Sequence, residues 1–170
     1  MNVGANFYHF ILKSTDNTLF NSKLIDKEKK VVVFFTCNHC PYVHAYEERI
    51  ITLQEKFIDS VQFVGINSNN EITYPEDSFD KMRIRYYEKN YNFPYLRDDS
   101  QKTAKAFNAT HTPHFFLFNA KRILTYKGKL DDNWDDALNV KKNYLKDAIE
   151  LNDDSISIID TLPVGCSIKW

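Results

Sequence analysis

The sequence predicts an α/β domain built on a mixed central sheet flanked by helices and extended at its N-terminus by a β-hairpin. Three observations predict it. Val31–Thr36 and Val61–Asn67 are β-branched and aromatic runs without polar alternation, the pattern of strands buried on both faces. Residues 41–57 between them switch to helical spacing, with Val43, Tyr46, Ile50, Leu53 and Phe57 on one stripe. A strand–helix–strand unit of this kind makes the two strands parallel.

Each remaining element follows in order. Phe7–Leu12 and Thr18–Phe20 read as short strands around an Asp16–Asn17 turn. After Asn67, a loop through Tyr74-Pro75-Glu76-Asp77 leads to a helix from Ser78, its expected cap, to about Lys89. Pro94–Arg97 is a short extended piece, and Ser100–Phe107 a short helix capped by Asp99 or Ser100. Pro113–Phe118 and Arg122–Lys127 form a hairpin around Asn119-Ala120-Lys121. Trp134–Leu151 is a last amphipathic helix, whose exposed face carries Lys141-Lys142 and whose approach carries Asp131-Asp132 and Asp135-Asp136. Residues 1–151 thus form the domain, and 152–170 a tail expected to pack on it.

A chain of 170 residues buries a core without disulfide staples. Its 22 basic and 23 acidic residues leave a formal net charge of -1, which argues against nucleic acid or an anionic membrane as partner, since both attract a basic face. The longest apolar runs are strand-length, far short of the ~18 residues of a spanning helix. The first residues lack a charged and then apolar leader, so the expected location is the cytoplasm.

Three cysteines, Cys37, Cys40 and Cys166, are too few for a disulfide framework. Cys37-Asn38-His39-Cys40 falls where a buried strand ends and a helix opens with Pro41. Unpaired N–H groups and the macrodipole favour thiolate there, and a protonated His39 would favour it further. On this reading Cys37 is the nucleophile and Cys40 the resolving thiol of an exchange passing through a mixed disulfide. A zinc site is the alternative, from the spacing of Cys37, Cys40 and His44 with His111 or His114 as fourth ligand; no metal is expected on the leading reading.

Phe35-Thr36-Cys37-Asn38-His39-Cys40-Pro41-Tyr42-Val43, Tyr74-Pro75-Glu76-Asp77-Ser78, Phe93-Pro94-Tyr95-Leu96, Thr112-Pro113 and the ending Gly165-Cys166-Ser167-Ile168-Lys169-Trp170 resemble the thioredoxin-like proteins of the AhpC/TSA (redoxin) superfamily that carry a CNHCP active site. The resemblance implies a thioredoxin-like fold, with Pro113 as the cis-proline facing the dithiol. It also implies that extended peptide substrates dock there, with Asn38, His39, Pro41, Thr112, Pro113 and His114 tuning the thiols or shaping the groove. The superfamily holds both dithiol exchangers and peroxiredoxins. The peroxiredoxin pattern P-x-x-x-T-x-x-C would need Pro at Val33 and Thr at Cys37, and its activating Arg is absent from His111-Thr112-Pro113-His114.

The Trp and buried Asp that thioredoxins place before the dithiol are Thr36 and Val31 here. Glu47, Glu48 or water are therefore the candidate proton acceptors for Cys40. Relatives read Cys-Thr-Pro-Asp around the cis-proline; the outer positions here are His111 and His114, either of which would tune Cys37 if it lies close. Cys166 is either a third redox thiol or a packing residue, and Tyr42, Phe93 and Tyr95 are candidates for an apolar apron. The expected function is a thiol–disulfide oxidoreductase cycling a Cys37–Cys40 disulfide in cytoplasmic redox homeostasis. It needs no cofactor, acts on protein or small-molecule disulfides and thiols, and draws electrons from a thioredoxin-reductase or glutathione system. The alternatives are a peroxiredoxin-like antioxidant thiol peroxidase, a metal-binding protein and a redox-inert adaptor.

Overall fold

The structure is a computed structural model, and it describes residues 1–151 and 161–170. The strands are β1 (Ile11–Ser14), β2 (Leu19–Asn21), β3 (Lys30–Phe35), β4 (Val61–Asn67), β5 (Tyr95–Arg97), β6 (His111–Thr112), β7 (His114–Phe118), β8 (Leu124–Gly128) and β9 (Cys166–Ser167). The helices are α1 (Pro41–Lys56), α2 (Phe79–Glu88), α3 (Lys102–Phe107) and α4 (Tyr144–Glu150).

Seven strands form one sheet in the order β2-β1-β5-β4-β3-β7-β8. β3, β4 and β5 are parallel, while β7 runs antiparallel to β3 and β8 to β7. The N-terminal hairpin β1–β2 extends the opposite edge through an antiparallel β1–β5 pairing. The sheet is therefore mixed, and it has the thioredoxin-like arrangement.

Strand alternation divides the core in two. Val32, Phe34, Phe63, Phe115 and Leu117 face α1, α2 and α4, packing on Tyr46, Ile50, Met82, Leu145 and Ile149. Val31, Val33, Phe35, Val64, Ile66, Phe116 and Phe118 face α3 and the N-terminal segment, packing on Phe107, Phe7 and Phe10. Both faces are covered, which is why β3 and β4 read as continuous apolar runs. Gly65 keeps the first face close-packed: a Cβ there would stand 3.0 Å from the Phe34 ring.

Several elements differ from the sequence expectation, each for a local reason. The first strand begins at Ile11, because the backbone before it is taken up along β8: Phe7 N–H donates to Arg122 O and Gly4 N–H to Leu124 O. Ser78 stands at the N-cap of α2 without a side-chain cap bond; Glu71 accepts from Phe79 N–H instead, at 3.1 Å. α3 starts at Lys102; Ser100 Oγ accepts from Lys102 N–H at 3.4 Å and Asp98 from Ala104 N–H at 3.0 Å, while Asp99 pairs with Arg97. The last helix is seven residues long, because the chain from Trp134 is tied down as a loop. Arg49 donates to Asn133 O and Trp134 O, and Asp132 accepts from Lys141 and Lys142 N–H. Those two lysines are therefore not on a helix face. Asp131 is buried in an ion pair with Arg49, at 2.7 Å.

The segment 161–170 returns to the domain. β9 pairs antiparallel with β6, setting Thr112 opposite Cys166 and His111 opposite Ser167. The rest of the expected tail, 152–160, lies outside the described residues. Among the described residues, no helix is long and apolar enough to cross a membrane.

Candidate active site

β3 delivers the thiols. Thr36 N–H closes the strand on Ile66 O, the next four residues are Cys37-Asn38-His39-Cys40, and α1 opens at Pro41 with Cys40 as N-cap. Pro is favoured at this position because the first-turn N–H has no helical partner to lose. The Cys37 Sγ lies 3.3 Å from Thr112 Oγ1, and the Cys40 thiol donates to Thr112 O at 3.2 Å. Thr112–Pro113 is the cis peptide bond, so the resemblance-based expectation for Pro113 corresponds to the observed backbone. Cys37 and Cys40 are free thiols, buried and hydrogen-bonded to each other.

The other wall was not legible in the sequence. Asp77, completely buried, closes the turn between the thiols. Its Oδ1 accepts from Asn38 N–H at 2.6 Å and from Asn67 Nδ2 at 3.2 Å, and its Oδ2 accepts from Asn69 Nδ2 at 2.8 Å. The His39 Nδ1 lies 2.6 Å from Oδ2, a close contact off the line of an N–H bond, and the ring stacks on Tyr74 at 5.4 Å. Asn38 also donates to Glu76 O and accepts from Tyr95 OH. The Y-P-E-D stretch, read as a plain loop, is thus the support of the dithiol turn. Only a carboxylate forty residues away in sequence, with no spacing motif, could have signalled it.

The two thiols titrate as a pair. The hydrogen bond to Cys40 pushes the Cys37 thiol up, and burial and the Asp77 charge add to this. Cys40 is pulled down to about 4, chiefly by the hydrogen bond from Cys37. Burial opposes that shift, while the Cys166 thiol and the amide N–H groups of Val43 and Cys166 support it. The two sulfurs thus ionise as one unit, the first thiolate of the pair stabilised by the thiol beside it.

Cys166 is half-buried against Cys37, Cys40 and Val43. Glu47 is buried in a network with Arg85 at 2.6 Å and with Tyr91 OH, an arrangement that commits it to structure rather than to the Cys40 proton. The histidines are dispersed. His44 Nε2 lies 2.5 Å from Asn38 O, and His111 Nδ1 2.8 Å from Thr110 Oγ1. His114 lies tilted against Phe116, ring centroids 4.4 Å apart, where burial pulls it down to about 3. The zinc set of Cys37, Cys40 and His44 with His111 or His114 is therefore not assembled. The group that does converge among the described residues is Cys37, His39 and Asp77, with ligand atoms within 4.8 Å of one another; the Asp77 oxygens are already occupied by the donors named above. Of the expected apron, Phe93 and Tyr95 are core residues, and Tyr42 packs on Trp134 at 4.2 Å.

The comparisons agree with this geometry. The Redoxin family model matches residues 2–145. An uncharacterised conserved protein from Geobacillus kaustophilus is 32% identical, with a TM-score of 0.91 over 99% of this chain and 92% of that one. A hypothetical protein from Sinorhizobium meliloti is 28% identical, with a TM-score of 0.88 over 100% and 95% of the two chains. At the level of fold alone, a secreted Mycobacterium tuberculosis disulfide oxidoreductase superposes with a TM-score of 0.59 at 21% identity, over 68% and 80% of the two chains. No curated protein is matched by the sequence. The family match spans most of the chain and takes in the whole dithiol turn, its Asp77 support and the cis-proline: the chain belongs to the Redoxin family.

Proposed function

We propose that the protein is a thiol–disulfide oxidoreductase that cycles between a Cys37, Cys40 dithiol and a Cys37–Cys40 disulfide. The observation that carries this reading is the pair of free, adjacent, buried thiols at a helix N-terminus opposite a cis-proline. In the reducing direction, the Cys37 thiolate attacks one sulfur of a substrate disulfide. The substrate S–S bond breaks, one half leaves as a thiolate, and the other half stays bonded to Cys37. Cys40 then gives up its proton and displaces that second half, leaving the Cys37–Cys40 disulfide and two substrate thiols. The Cys40 thiol, donating to Thr112 O at 3.2 Å, keeps its proton until this resolving step. Asn38, His39 and Asp77 position the turn. Substrates are protein or small-molecule disulfides and thiols in the cytoplasm, with a thioredoxin-reductase or glutathione system as electron donor, and no resident cofactor takes part.

The same helix-bound thiolate also suits a peroxidase, which would pass through a sulfenic acid. One experiment separates the two. The reduced protein is mixed with hydrogen peroxide or with a small disulfide, second-order rates are measured, and products are identified by intact mass. Slow peroxide reaction with ready loss of two hydrogens to the disulfide is the expected result, and C37S should slow the disulfide reaction on the order of a hundredfold. Fast and selective peroxide consumption would replace the exchange reading with the peroxidase one.

A further inference from the structure

The Cys40 sulfur has a second thiol neighbour besides Cys37. β9 pairs with β6 so that Cys166 stands opposite Thr112, the residue whose carbonyl receives the Cys40 thiol. The Cys166 side chain packs, half-buried, in one cluster with Cys40, Cys37 and Val43. The placement is tightly held. Ile168 N–H donates to Thr110 O at 3.0 Å, Lys169 N–H to Asn69 Oδ1 at 2.8 Å and Asn70 N–H to Lys169 O at 2.8 Å. Gly165 passes so close that a Cβ would stand 2.2 Å from Thr112 O. β9 therefore occupies the backbone edge beside the cis-proline, where the resemblance implied a docked peptide, and presents a thiol there.

We infer that Cys166 is the internal disulfide partner of Cys40, so that the oxidised protein exchanges between a Cys37–Cys40 and a Cys40–Cys166 disulfide. This rests on the dithiol reading above. The step needs no outside oxidant. Cys166, as thiolate, attacks the Cys40 sulfur; the Cys37–Cys40 bond breaks as the Cys40–Cys166 bond forms. Cys37 leaves as a thiolate and takes up the proton that Cys166 gave to solvent. In the reduced protein burial pushes the Cys166 thiol up to about 11, Cys40 adds to this, and Lys169 acts the other way. Once Cys40 is in a disulfide its contribution is gone, so Cys166 ionises more easily in the state where its attack is productive. The consequence is that Cys37 is released while the site stays oxidised.

The test uses the full chain, wild type and C37S, oxidised with glutathione disulfide, acid-quenched, alkylated and mapped by tandem mass spectrometry. C37S should form an intramolecular Cys40–Cys166 crosslink, two hydrogens lighter than the reduced chain and carrying no glutathione. Wild type should carry the same crosslink in roughly a tenth or more of its oxidised molecules, alongside Cys37–Cys40. Retained glutathione with Cys166 fully alkylated in both proteins, while wild type forms Cys37–Cys40 normally, overturns this inference alone. If wild type forms no intramolecular disulfide at all, the dithiol reading falls with it. Should C37S misfold by circular dichroism, the wild-type map decides by itself.

Discussion

Asp77 carries the site at the scale of single residues. Its two oxygens face the Asn38 N–H, the Asn67 and Asn69 side-chain amides and the His39 ring, and it has no exposure to water. Hydrogen bonds to a buried charge contribute about 1.5–3 kcal/mol each, and orphaned partners cost a comparable amount. Asp77→Asn turns one acceptor into a donor facing donors. The expected loss is about 2–4 kcal/mol of unfolding free energy, read from the denaturant midpoint. Because the Asp77 charge also opposes ionisation of Cys37, the same variant should shift the high-pH limb of the thiol alkylation profile to lower pH. An unchanged profile would mean that the carboxylate acts on the turn's geometry alone.

At the scale of elements, the decisive contact is between β9 and β6, two strands of two residues each. Such a short pairing is worth little by itself and depends on the close approach at Gly165. Gly165→Ala places a methyl group 2.2 Å from Thr112 O, a backbone atom that cannot swing away. The expected outcome is separation of β9 from β6 with the seven-stranded sheet intact. Cys166 would then be alkylated several-fold faster, while far-ultraviolet circular dichroism stays near wild type. If alkylation of Cys166 is unaffected, the strand is held by Asn69 and Gln101 through Lys169 rather than by this pairing.

At the scale of the whole molecule, the aromatic layer beneath β7 links the site to acid stability. His114 lies 5% exposed in that layer, against Phe116, which itself meets Phe107 edge-on. Burial depresses it to about 3 from an ordinary 6.5, with the positive charges of His111, Lys127 and the N-terminus adding to the effect. Its imidazole is thus neutral in the fold and protonated in the unfolded chain between those pH values. The unfolded state binds the extra proton, so stability rises with pH across this window and is lost as pH falls below about 6.5. The slope is about 1.4 kcal/mol per pH unit. Between pH 6.5 and pH 5, wild type should lose about 2 kcal/mol more than His114→Asn, measured by urea unfolding at each pH. Equal losses would show that carboxylates alone set the acid limit.

Local pattern determined much of this protein. The apolar runs of β3 and β4, the stripe on α1 and the Cys37–Cys40 spacing are short-range signals, and a chain that buries both sheet faces must display them. Tertiary structure decided what short-range patterns do not encode. α4 is shorter than its amphipathic spacing implies, because side chains from elsewhere, Arg49 and Asp132, capture the backbone before it. Asp77, Thr112 and Cys166 reach the thiols from positions dozens of residues away, and only the order of strands in the sheet brings them there. The ionisation of the paired thiols responds to those distant neighbours as well as to each other. Electrostatic shifts depend on which groups lie within a few ångströms in space, and the dithiol motif names only two of them.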